Sequence, residues 1–476
     1  MSLRISRTKL VPLIISCALF MEILDGTIIS TALPSIAQAL HTDPIHLNLA
    51  ITAYLLSLAV FVPLSGWAAD RYGARTVFRA AILIFTLSSI GCGMAQSLTQ
   101  LILGRLAQGL GGAMMVPVGR LVLLRTVPKS DLVNAWAWMA SPAMIGPALG
   151  PPLGGLIITY ASWRWIFFVN VPIGLLGMVL VSLFIDNIRE DNDEPLDLSG
   201  FFLMAATLSG LVFGFEMVGR NLLSGSIVAA LLIGGGICAV LYLKHTRRVS
   251  APIVDLAPLK IQTYRLMSAG GSMLRIGIGA LPFLLPMLLQ IGFGLSPLIS
   301  GLLTCSIAVG SVITNLFARR FIQRFGFRKI LIRCSLIGSI SIMICAFFRP
   351  MTPHDVIFIL LLAGGVFRML TFTAMNTLTF ADVPQALMSR ATTLYSVMQQ
   401  LSFSLGVGIS AMVLKMTLFF KQGETLSADD FWPAFLVIGL ISASCIFSFK
   451  KLKPDAGVEL SGHRPLSSGP LANVDL

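Results

Sequence analysis

A chain of 476 residues, 56 % hydrophobic and 12 % charged, with a mean hydropathy of +0.87, has too little polar surface for a soluble fold. It reads as an all-α polytopic membrane protein whose first partner is the lipid bilayer. The net charge of +13 would suit a nucleic-acid partner, but the basic residues lie in short connections between apolar runs, so no nucleic acid is expected. The seven cysteines form no C-x-x-C pair and the five histidines fall in connections or the tail, so neither a metal site nor an enzyme's catalytic cluster is expected.

Apolar runs of spanning length lie near residues 11–33, 47–68, 78–96, 100–119, 134–158, 164–185 and 199–217, then 225–243, 267–291, 297–318, 330–348, 355–380, 395–416 and 430–449. That predicts fourteen transmembrane helices. Taking alternate connections and ends, one set carries 26 Lys and Arg and the other 4, which predicts that both termini are cytoplasmic. Arg71, Gly73 and Arg75 after the second run recur as Arg324, Gly326 and Arg328 after the tenth. The repeat predicts a 6+2+6 architecture. Its parts are a six-helix bundle over 1–186, a connection with two inserted helices over 187–250, a second bundle over 251–453 and a disordered tail over 454–476.

The first run carries two acids, Glu22 and Asp25, near mid-span. An ionised carboxylate there costs roughly 3 kcal/mol on insertion scales, so such acids face a protein interior or a wet cavity and mark a proton or cation site. At i and i+3 they share one helix face. After the second run, Gly66 allows close helix approach and Gly73 a tight turn. Asp70 can pair with Arg71 or Arg75, or accept from a neighbouring helix N-terminus, and so act as a conformational latch. In the fourth run, Arg105 lies at a depth compatible with Asp25 or Glu22 and is expected to pair with one of them. A neighbouring cation favours the charged acid and desolvation the neutral one, a tension suited to loading and releasing protons.

The fifth run holds Gly146, Gly150 and Gly154 at close-packing spacing, with Gly155 beside them. Pro142, Pro147, Pro151 and Pro152 are expected to bend it, giving a gate or seal. Arg275 and Arg368 place cations in the ninth and twelfth runs, opposite the acids if the halves mirror each other; each serves either a substrate or a structural pair. Asn376, Gln399 and Gln400 can add polar lining.

These motifs together resemble the major facilitator superfamily, and within it the fourteen-spanner drug:proton antiporters. Leu24-Asp25-Gly-Thr27 resembles the family's first-helix signature, Gly66 to Arg75 its loop motif, Arg105 to Gly111 its fourth-helix motif, and Gly146 to Gly155 the antiporter motif of exporters. The resemblance implies a proton-driven exporter, not an enzyme, in a bacterial inner membrane. It would be a monomer that needs no cofactor beyond the proton gradient and exchanges protons for a small-molecule substrate. Asp25 and Arg105 would then carry the coupling, and the residues themselves add Glu22 as the second candidate for the proton. Glu22 and Gln323 depart from the family pattern, and with Arg275 and Arg368 they keep an anionic or zwitterionic metabolite such as a siderophore open as cargo, exported or imported.

Overall fold

Backbone groups in hydrocarbon must be satisfied within the segment that carries them, so apolar runs of this length fold as helices. The computed structural model describes residues 7–42, 44–187, 195–218, 223–421 and 426–461, and no strand occurs among them. The first bundle comprises α1 (Arg7–Ala39), α2 (Pro44–Phe61), α3 (Leu64–Tyr72), α4 (Ala74–Gly93), α5 (Leu98–Thr126), α6 (Leu132–Tyr160), α7 (Trp165–Phe168) and α8 (Asn170–Phe184). Then come α9 (Leu198–Leu208), continued through a π-turn into α10 (Gly214–Met217), and α11 (Gly225–His245). The second bundle comprises α12 (Gln262–Met287), α13 (Pro297–Phe325), α14 (Phe327–Ile344), α15 (His354–Thr379), α16 (Met388–Lys421), α17 (Trp432–Ala443) and α18 (Cys445–Lys450).

Twelve spans among the described residues are long and apolar enough to cross a membrane, or thirteen if α2 and α3 form one. The fifth run forms one continuous 29-residue helix, α6, through its prolines. A sharp break lies at Val62 and Pro63, where α2 and α3 meet at 59°. Proline there removes a backbone donor and ends the first helix cleanly.

The sequence repeat is also a structural one. Gly73 (φ 86°) ends α3 and Gly326 (φ 75°) ends α13, both in the left-handed region that glycine enters without strain. The α9–α10 segment packs on both bundles. Phe201 of α9 lies 6.1 Å from Phe61 of α2, ring to ring, while Phe215 of α10 packs against Gly408 of α16. The connection beyond them is tied down where Asp255 accepts from Arg390 Nη1 at 2.9 Å.

The hydrophobic core is distributed unevenly along the bundle axis. At the end carrying the Lys- and Arg-rich connections, residues from both bundles share one core, from Val11 and Leu124 through Ile330 and Tyr395. At the other end the bundles keep separate cores, Ile28–Phe167 in the first and Ile276–Ile438 in the second. The molecule is therefore closed between its halves at the basic end. The expectation of disorder from 454 is corrected in part, because Gly457 sits against Phe327 and Leu378 and begins the short α19 (Val458–Ser461), with Leu460 buried. Residues 462–476 and the acidic stretch 188–194 lie outside the described residues.

Candidate transport site

Asp25 of α1 is 1 % exposed and points into the first bundle. Arg105 Nη1, from α5, donates to its Oδ2. Gln108 Nε2, one turn along the same helix, donates to Oδ1 at 2.8 Å, and Asn170 Nδ2 of α8 donates to the same oxygen at 2.9 Å. Gln108 Oε1 in turn accepts from Arg105 Nη1 at 2.6 Å. Ser89 of α4 accepts from Asn170 at 3.0 Å and passes its own proton to the Phe167 carbonyl at 3.0 Å. Tyr54 of α2 lays its ring 4.2 Å from the Arg105 guanidinium. Every group on the Asp25 oxygens is a donor, so the cluster is built for the ionised carboxylate.

Glu22 does not join this cluster. Its carboxyl lies toward Gly112 and Tyr54, and its buried Oε2 has no hydrogen-bond partner. Of the two acids offered to Arg105, the structure pairs Asp25. Gln108 lies inside the fourth-helix motif and Asn170 outside every motif above; neutral amides carry no charge signal that marks them as partners.

The glycines of α6 bring that helix against α1 on the turns around Asp25. A Cβ at Gly146 would lie 2.9 Å from Ile23 Cγ2 and 3.4 Å from the Leu24 nitrogen. One at Gly150 would strike Thr27 and lie 3.4 Å from the Ile28 nitrogen. Gly154 is buried, whereas Gly155 is exposed with nothing within 4 Å of a Cβ. The side chains of Pro147 and Pro151 lie outside the described residues. Gly150→Leu is expected to cut transport at least about tenfold through overpacking against α1, with Gly155→Ala unchanged. Initial rates at matched membrane abundance check this, and equal rates for both variants would remove α6 packing from the cycle.

At the basic end, Asp70 of α3 accepts from Arg125 Nη2 at 3.1 Å and from Ser389 Oγ in the first turn of α16. It thereby bridges the two bundles. A Cβ on Gly66 would strike the Thr393 side chain and lie 3.2 Å from the Ser389 carbonyl, so this glycine admits α16. Lys129 donates to the Ala381 carbonyl across the same boundary at 3.0 Å. Arg75, expected as a partner for Asp70, instead donates to the Ile185 carbonyl at 3.5 Å. Gly73 turns beside the Asn187 amide, and Arg71 lies at the exposed end of α3.

In the second bundle, Arg275 of α12 is fully buried with its guanidinium 4.2 Å from the Tyr395 ring centroid. Arg120 lies 4.4 Å from the same ring. It donates to Ser396 Oγ and Gln399 Oε1, each at 3.0 Å. Asn376 accepts from the Tyr395 hydroxyl and donates to the Phe372 carbonyl at 2.8 Å. Gln400 is half-buried beside Gln399. Arg368 packs between α14 and its own helix α15, donating to Ser341 Oγ at 2.8 Å, and so stands away from the boundary with the acids. Arg120 is a correction as well: counted as a connection residue, it lies within α5 and is 3 % exposed. The apolar run stops at the charge, but the helix continues to Thr126. Among the described residues no group of three His, Cys, Asp or Glu side chains could hold a metal ion.

The chain matches the Major Facilitator Superfamily over residues 15–407 and again over 267–471. It is 36 % identical over 443 residues to the transport protein HsrA of Haemophilus influenzae, covering 93 % of this chain and 96 % of that one. It is 37 % identical over 446 residues to the multidrug resistance protein MdtD of Escherichia coli, covering 93 % and 94 %. Among solved structures it shares its fold with the human organic anion transporter MFSD10, at a TM-score of 0.66, 14 % identity and coverage of 93 % and 99 %. The proton:xylose symporter XylE gives a TM-score of 0.65 at 14 % identity, covering 95 % and 97 %. Helical spans, an internal repeat and relatives matched end to end converge: this chain is a multi-pass membrane transporter and belongs to the Major Facilitator Superfamily.

Proposed function

We propose that this protein exports small organic molecules, of the multidrug type, in exchange for protons. Counting the α2–α3 pair as one span and adding α6 to the twelve gives fourteen spans in a 6+2+6 order. The basic end and both termini then face the cytoplasm of a bacterium, in its inner membrane. The 37 % identity to a multidrug resistance protein supports the cargo class. The closed basic end, with separate cores at the opposite end, supports alternating access captured in an outward-facing form.

The observation that carries the coupling is the donor-only shell around Asp25. A protonated carboxyl carries an O–H that needs an acceptor, and among the described residues the groups bonded to its oxygens all donate. A proton arriving on Asp25 also leaves the Arg105 charge buried and uncompensated, an outcome costing several kcal/mol. Protonation must therefore rearrange α1 against α5 and α8, and that rearrangement is the coupling step. Glu22, half-buried one turn away, stands where it can hand a proton on. The driving force is the proton gradient, with no bound cofactor, and one chain suffices. Ethidium efflux from proteoliposomes under an imposed pH gradient tests the proposal. Efflux that follows the gradient and collapses with a protonophore is expected; efflux indifferent to it would refute antiport.

A further inference from the structure

Arg275 is 0 % exposed, and none of its three nitrogens has a hydrogen-bond partner. A guanidinium with all its donors buried and unmet is strongly unfavourable unless something else meets them. The Tyr395 ring faces it, and the Tyr395 hydroxyl is already given to Asn376. Arg120 brings a second positive charge to the same ring, with its Nε also unmet. Among the described residues no carboxylate lies within ion-pair distance of either, and the acid of the first bundle is held by Arg105. Two cations beside one ring repel each other, and a nearby anion would offset that repulsion and meet the unmet donors of Arg275.

We propose that Arg275 and Arg120 bind the anionic group of a transported molecule, a carboxylate or similar oxyanion, at the boundary between the bundles. This rests on the transporter reading but not on its proton coupling. The planar fork of each guanidinium fits a carboxylate through paired N–H bonds, which a lysine could not reproduce. The two arginines come from opposite halves, Arg120 from α5 and Arg275 from α12. In the present form, two Arg120 donors are occupied by Ser396 and Gln399 of α16. Parting the halves at the basic end frees those donors for the anion, and closing takes them back. The site is thus strong when open to the basic side and weak when closed, the order an exporter of organic anions needs. Along α16, Met398, Gln399 and Gln400, about one turn beyond Tyr395, are half-buried.

The test uses the full-length protein purified in detergent, without a pH gradient. Aromatic and aliphatic acids with one to three carboxylates are each compared with their neutral amide, by calorimetry and by shift in melting temperature. Carboxylates are expected to bind and amides not. Arg275→Gln should weaken carboxylate binding at least about tenfold, with Arg275→Lys falling between. Without ligand, Arg275→Gln should melt at or above the wild-type temperature, because an unpaired buried charge is removed. Equal binding of acid and amide, no binding by any acid, unchanged affinity in Arg275→Gln, or a large loss of its melting temperature would each overturn the proposal. Carboxylate binding without gradient-driven transport would sink the antiport and leave this site standing. Gradient-driven transport of ethidium without carboxylate binding would do the reverse.

Discussion

Asp25→Asn is expected to reduce pH-gradient-driven transport by about a hundredfold or more, the equivalent of roughly 2.7 kcal/mol in a rate. Exchange of labelled for unlabelled cargo should persist. Asparagine keeps the size of the side chain but cannot take up a proton, so the gradient loses its point of entry. The change also leaves Arg105 buried without its counter-ion. Breaking one partner of a buried pair costs about 3–5 kcal/mol, so the single variant should be markedly less stable. The double variant Asp25→Asn with Arg105→Gln should recover much of that stability, since no lone charge remains, and still fail to couple. Thermal unfolding beside transport separates the two effects. A double variant that regains gradient-driven transport would show that the proton travels elsewhere, with Glu22 as the first alternative.

Gly66→Leu is expected to hold the basic end open. The α3 and α16 helices meet there with no room for a side chain, since even a Cβ would strike Thr393. Overpacking of this kind costs about 1–3 kcal/mol, and only the closed form bears it. That shifts an open–closed balance by roughly tenfold to a hundredfold toward open. Ala381→Cys in a background lacking the seven native cysteines reports on it, because the Ala381 carbonyl receives Lys129 across the closed boundary. In inverted vesicles a membrane-impermeant thiol reagent should label this cysteine several-fold faster with Gly66→Leu than without. Unchanged labelling would mean that α3 and α16 do not form the gate.

Much of this architecture was legible because hydrophobicity and charge are strong one-dimensional signals. The apolar runs fall on single helices or on consecutive helical segments, and matching depths in two runs offer Arg105 either Glu22 or Asp25, of which the structure pairs Asp25. The limits are equally physical. Glu22 and Asp25 were read as sharing a face, yet residues three apart differ by about 60° around a helix. In a crowded bundle that angle sends Asp25 to Arg105 and Glu22 toward Tyr54. Gln108 and Asn170 were passed over because an amide in a spanning helix looks like any small polar residue. Arg120 was read as the start of a connection because a hydropathy window cannot see that an aromatic ring and two hydroxyl or amide oxygens wait for it.

Antiport through Asp25 requires that a proton on this carboxyl and bound cargo exclude each other. It is tested most directly by counting protons released when cargo binds. Purified protein in weakly buffered detergent solution is mixed with ethidium, and separately with the carboxylate series, while a pH dye records release. The account predicts proton release on cargo addition in the wild type and none in Asp25→Asn. Equal release from the two proteins would contradict it.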